Sequence, residues 1–146
     1  LDEIGDMSLS AQAKVLRALQ ENQITPVGSG KSIAVNVRII AATNKNIKEE
    51  INLGRFREDL YHRLSVIVID VPSLNTRRQD IPDLIDHFLK SLTDQGFGKK
   101  TFSSEAIDQL TSANWTGNVR ELRNVVERLH ILGSNPVLAE EASKYS

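Results

Sequence analysis

The 146-residue sequence contains no cysteine. That excludes a disulfide framework and any thiolate metal site, and it agrees with a reducing compartment. Only three histidines occur, His62, His87 and His130, scattered without ligand spacing, so a zinc centre is not expected. No apolar run approaches the roughly 18 residues that a membrane span needs, and no signal peptide opens the chain. Charge of one sign is lacking too. With 18 basic and 19 acidic side chains and a pI near 6.3, there is no general basic field of the kind that accompanies non-specific nucleic-acid binding. At 40% hydrophobic residues the chain can bury one ordinary core or two small ones.

The segment VGSGKSI, Val27 to Ile33, imitates the end of a phosphate-binding loop. The full signature needs a glycine five places before the Gly-Lys pair, where Thr25 stands, and a helix immediately after it. Ser32 to Ile40 is β-rich instead, so the segment is expected to be a polar hairpin turn.

Ahead of it, Ser8 to Glu21 reads as a helix with Ser8 as N-cap and Leu9, Ala13, Leu16 and Leu19 at helical spacing. VNVRIIAA, residues 35–42, and SVIVIDV, residues 65–71, read as buried strands. Between them lie two short helices, Asn46 to Leu53 and Arg57 to Leu64, separated by Gly54. Strands alternating with helices predict a parallel α/β sheet. After Pro72 the apolar residues fall on helical spacing only. Ile81, Leu84, Ile85, Phe88, Leu89 and Leu92 form one stripe. Ser103 is expected to cap a second helix, and Asn118 a third lined by Val119, Leu122, Val125, Val126, Leu129 and Leu132, with Glu121 reaching back. Residues 136–146 are expected to fray. The expected division is an α/β part over 1–74, a helical bundle over 75–135 and the tail. Because LDEIGDM begins inside a motif with no initiator methionine, upstream sequence is expected.

Four places carry chemistry. Asp2 and Glu3 are adjacent carboxylates at a strand end, able to hold Mg²⁺ through water and to orient an attacking water, or equally to start a solvated helix. Thr43 and Asn44 follow the apolar strand, at the sheet edge where ligands bind, though Asn44 also suits a helix cap. Arg57 and Arg63 stand six residues apart, on roughly opposite sides of a helix that runs through both; they suit phosphoryl charge or ordinary surface pairing. Arg120 sits in the first turn of a helix, poorly placed for the dipole, and so faces an anion or an acidic partner.

Taken in order, LDEIGDMSLSAQAKVLRALQE, VRIIAATNKN, GRFREDLYHRLSVIVIDVPSL and WTGNVRELRNVVERL resemble the central AAA+ ATPase domain of bacterial enhancer-binding proteins, the sigma-54-dependent activators of the nitrogen regulatory protein C type. The resemblance runs over about residues 1–132. It implies a truncated P-loop NTPase-type α/β sheet followed by an all-α lid, with ATP and Mg²⁺ as ligands. Asp2 and Glu3 match the Walker B pair, Asp2 toward Mg²⁺. Thr43 and Asn44 match sensor I. Arg57 and Arg63 match arginine fingers offered to the next protomer's ATP, and Arg120 the sensor II arginine.

The resemblance further implies a cytoplasmic ring hexamer, in two-component systems among others, that remodels sigma-54 RNA polymerase, with DNA bound by a separate domain outside this chain. Walker A and the sigma-contacting loop would lie upstream of Leu1, so the polypeptide alone is expected neither to bind ATP tightly nor to activate transcription. Asn75-Thr76 depart from the family's usual Arg-Glu. Two other readings stand beside this one: a helix-turn-helix DNA-binding module over residues 103–132, and a non-catalytic interaction domain that retains the motifs.

Overall fold

A computed structural model describes residues 1–26 and 28–145. Val27, the first residue of the VGSGKSI turn, lies outside the described residues. Ser146, the last of the tail, does so as well. The chain forms two compact units, Leu1–Ile69 and the remainder from Asp70.

The first unit opens with a 3-10 turn, Ile4–Asp6, followed by helix α1, Leu9–Glu21. The α1 cap is the expected one: Ser8 accepts a hydrogen bond from the Ala11 amide, and Asn22 ends the helix in the left-handed region at φ 50°. The helix is rotated from the expected stripe. Leu16 and Gln12 are buried while Leu9 is exposed. Strands β1, Gln23–Ile24, and β2, Ile33–Ala34, pair antiparallel, so Gly28 to Ser32 belong to a hairpin connection as expected. Helices α2, Ile47–Asn52, and α3, Glu58–Leu64, come next, with Gly54 between them at φ 68°. Ile4, Leu16, Phe56 and Leu60 form the core, flanked by Val15, Leu19, Ile47, Ile51 and Tyr61.

The two long strand expectations are corrected. Residues 35–42 and 65–71 carry no assigned strand, and Ile40 (72% exposed), Val66 (83%) and Ile69 (80%) face solvent. A parallel strand draws its partners from distant sequence, and β-branched composition alone does not close a ladder. In the first of these segments a trace of parallel pairing survives. The Leu1 nitrogen donates to the Ile40 carbonyl at 2.8 Å, and the Ala42 amide donates to the Leu1 carbonyl at 2.9 Å. Both bonds flank Ala41 as a parallel neighbour requires.

The second unit is helical. Helix α4, Ile81–Asp94, starts with Pro82 in its first turn and buries Ile81, Ile85 and Leu92; Gly96 stops it at φ 94°. Helix α5, Ser104–Ser112, is capped by Ser103 and buries Ala106 and Leu110. Helix α6, Asn118–Leu132, buries Leu122, Val125, Val126, Leu129 and His130. Trp115 is 1% exposed, and its indole N–H donates to the Leu110 carbonyl. Over its described residues, 136–145, the segment expected to fray is packed instead. Val137 and Ala142 are fully buried in the bundle core, and Val137 exchanges backbone hydrogen bonds with Thr101 and Ser103. A short helix α7, Ala139–Ala142, closes it, because the Glu141 carboxylate gathers the Ser134 and Leu138 amides and the Ser134 hydroxyl.

The α6 start also differs from expectation. Gly117, not Asn118, holds the cap position, and Asn118 adopts φ 54°, a conformation asparagine tolerates better than most residues. Glu121 does reach back, to the Gly117 amide at 2.8 Å. The Asn118 side chain is thereby freed to accept the Leu74 amide at 2.8 Å. Asn75 answers from the other side: its amide group accepts from the Trp115 N–H and donates to the Trp115 carbonyl.

Candidate functional site

The acid pair and the Thr43-Asn44 pair come together in the first unit. Their apposition begins in the Leu1 ladder and is continued by the Ile4 amide, which donates to the Ala42 carbonyl at 3.0 Å. Between these bonds the chain must turn, and Glu3 does so in the left-handed region at φ 49°. Asp2 accepts the Glu3 amide at 3.0 Å and both carboxylates are exposed. A second clasp lies just beyond. Lys45 pairs with Asp6 at 2.5 Å and donates to the Gly5 carbonyl, and the hydrogen bond to Asp6 raises the Lys45 pKa. Thr43 turns its hydroxyl inward to accept the Lys45 amide and packs on Gly5 so closely that a Cβ there would lie 2.6 Å from its Oγ1. Asn44 is exposed and next to this clasp, and Asn46, not Asn44, takes the cap position of α2.

Arg57 precedes α3 and its guanidinium forks onto Asp59, with Nε at 3.0 Å and Nη2 at 2.6 Å. That bond raises the Arg57 pKa and lowers the Asp59 pKa. Of the five guanidinium protons the fork uses two, leaving Nη1 free to donate. Arg63, at the far end of α3, donates Nη2 to the Leu19 carbonyl at 3.0 Å. Arg120 belongs to the second unit, exposed in the first turn of α6, and has no ion-pair partner among the described residues. A cleft of about 320 Å³ lined by Lys48, Ile51, Asn52, Glu58, Tyr61 and His62 contains none of these residues.

Sequence reasoning missed Gln12. Its side chain is fully buried, and its amide donates to the Met7 carbonyl at 2.8 Å and the Arg55 carbonyl at 3.0 Å while accepting the Arg57 amide at 2.9 Å. The loop it grips is also held by Glu50, which forks onto Arg55 through two contacts of 2.8 Å. Its only sequence signal is a glutamine among the apolar residues of α1.

No cluster of three or more metal-ligating side chains occurs among the described residues. One exposed carboxylate, Asp2, fits Mg²⁺ nonetheless, because that ion is usually held by one or two carboxylates together with phosphates and waters. No described helix is long and apolar enough to cross a membrane.

Comparison with known proteins gives this geometry a family. Residues 1–70 match the Sigma-54 interaction domain and residues 75–142 the AAA+ ATPase lid domain. The DNA-binding transcriptional regulator NtrC of Rhizobium meliloti is 48% identical over 141 residues, covering 97% of this chain and 29% of that protein. The nitrogen assimilation regulator NtrX of Azorhizobium caulinodans is 50% identical over 138 residues, covering 93% and 30%. The crystal structure of NtrX from Brucella abortus in complex with ATP superposes with a TM-score of 0.89 at 43% identity, over 97% of this chain and 34% of that one. The chain thus spans about a third of the length of these relatives. The lid match covers all of residues 103–132 and leaves the helix-turn-helix alternative without support. Two matched segments in the order seen here, a sigma-54 interaction segment and then a lid, show that the chain belongs to the AAA+ sigma-54 activator family.

Proposed function

We propose that this chain supplies the hydrolytic acids, the sensor, the trans arginines and the lid arginine of an ATPase that remodels sigma-54 RNA polymerase. The observation that carries the reading is the Leu1 to Ala42 ladder with its Lys45–Asp6 clasp, which seats Asp2 and Glu3 beside Thr43 and Asn44. Asp2 would hold Mg²⁺, which when bound neutralises phosphate charge. Glu3, exposed on a left-handed backbone turn, orients and accepts a proton from the attacking water. Asn44 donates to a phosphate oxygen or to that water. Arg57, aimed by Asp59, and Arg63 donate to the nucleotide of a neighbouring copy in a cytoplasmic ring, and Arg120 contacts the nucleotide from the lid. The phosphate cradle must come from a longer polypeptide, because Lys31 lies in a hairpin connection and not at a helix start. On this reading the chain by itself is expected to be inactive.

The test uses the polypeptide extended upstream to a glycine-rich phosphate loop. Mg²⁺-dependent ATP hydrolysis is expected, abolished by Glu3→Gln with nucleotide binding retained. Arg57→Ala and Arg63→Ala rings should bind ATP and fail to turn it over. Normal turnover by both would remove the trans assignment, and hydrolysis by Glu3→Gln would remove the acid assignment.

A further inference from the structure

We infer that Gln12 is a positioning residue that fixes the backbone of Arg57 relative to the turn bearing Glu3, so that one buried amide ties a protomer's own hydrolytic acids to the arginine it lends its neighbour. The inference rests on the roles proposed for Arg57 and Glu3.

Three observations carry it. Gln12 is wholly buried, where an amide is stable only if its hydrogen bonds are made, and all three described bonds go to backbone groups outside its own helix. Its partners lie on the two halves of the site. Met7 is the residue that ends the Ile4–Asp6 turn, for which Glu3 is the cap, while Arg55 and Arg57 belong to the loop that launches α3. Up to Phe56 that loop is held from α2 and the core, by the Glu50 fork on Arg55, by the Glu50 carbonyl accepting the Arg55 and Phe56 amides, and by the buried Phe56 ring; beyond it, among the described residues only Gln12 engages the Arg57 amide. A shift of Gln12 must therefore move both the Met7 carbonyl and the Arg57 amide. A purely apolar side chain of the same volume fills the space and provides neither bond.

The test compares Gln12→Met and Arg57→Ala in the ATPase-competent longer polypeptide, with Leu16→Val as a control for lost stability in the same helix. Positioning predicts a fall in kcat of about 10- to 100-fold for Gln12→Met with KM for ATP within about twofold of wild type. It also predicts near-normal kcat for Leu16→Val. In this chain itself, amide exchange at Arg57 should accelerate by about tenfold or more in Gln12→Met. Wild-type turnover by Gln12→Met or an equal loss in Leu16→Val would each overturn the assignment. An inactive Arg57→Ala beside a normal Gln12→Met removes the role of Gln12 alone. A normal Arg57→Ala removes the trans arginine and Gln12 together.

Discussion

Replacing Gly5 by alanine tests the apposition on which the site depends. Gly5 does not adopt a positive φ, so the added methyl brings no backbone strain of the kind expected at Gly28, Gly54 or Gly96. What it brings is a collision: its Cβ would lie 2.6 Å from Thr43 Oγ1, 3.2 Å from Lys45 Cδ and 3.3 Å from Lys45 Cβ. Neither residue has room to withdraw freely, since Thr43 Oγ1 holds the Lys45 amide and Lys45 Nζ holds Asp6 and the Gly5 carbonyl. Overpacking of this order costs about 1–3 kcal/mol. For a unit the size of Leu1–Ile69 that corresponds to a fall in melting temperature of roughly 5–20 °C. Thermal denaturation followed by circular dichroism measures it, with Gly30→Ala as the control, because a methyl there meets nothing within 4 Å. In the longer polypeptide, ATP turnover should drop by about tenfold or more as Thr43 and Asn44 move away from Glu3. A Gly5→Ala chain that melts within about 1 °C of the Gly30→Ala control would show that the turn and the sensor do not touch as described.

Glu141 is pulled down from its ordinary 4.5 to about 2, chiefly by the Leu138 amide and then by the Ser134 hydroxyl and amide. A carboxyl depressed on folding stabilises above its unfolded value and loses that contribution as pH falls through the folded one. The stability gap between wild type and Glu141→Gln should thus be full above pH about 4.5 and close toward pH 2; a pH-independent gap would remove the latch. Asn75→Ala strips the Trp115 backbone of both partners and should cost about 1–3 kcal/mol, read as a lowered urea midpoint in the fluorescence of the single tryptophan; an unchanged midpoint would remove the clasp. Lys31→Ala should leave ATP affinity of the longer polypeptide within about twofold, whereas a loss of tenfold or more, about 1.4 kcal/mol, would reinstate GSGKS as a phosphate loop.

The helices are legible because their signals are local. Ser8 and Ser103 cap as their spacing from Ala11 and Ala106 predicts, Gly54 and Gly96 adopt the conformations that end helices, and the α4 stripe from Ile81 to Leu92 faces inward. The strands are not, because Val66 to Val71 carry strand composition without the partners that would turn composition into a ladder. Asn118 departs from expectation for a related reason. Its type suits a cap, but the long-range bond to Leu74 assigns its side chain elsewhere, and nothing near it in sequence announces that bond. In the site, Asp2, Glu3, Thr43 and Asn44 are readable as strand-end polar residues, whereas two of the three partners through which Gln12 acts lie more than forty positions away. The tail from Pro136 is too polar in composition to suggest packing, yet Val137 and Ala142 suffice to anchor it once Glu141 organises the loop.

The bare run from Val66 to Val71 sets how this polypeptide behaves in a tube. VIVIDV is β-prone on both faces, and Asp70 is its single charge. Short segments of that composition stack into cross-β fibrils when their backbone groups are left open, and one flanking acid is the usual gatekeeper. Turbidity and thioflavin binding are expected to rise with protein concentration, and to rise faster for Asp70→Asn, which removes the gatekeeper.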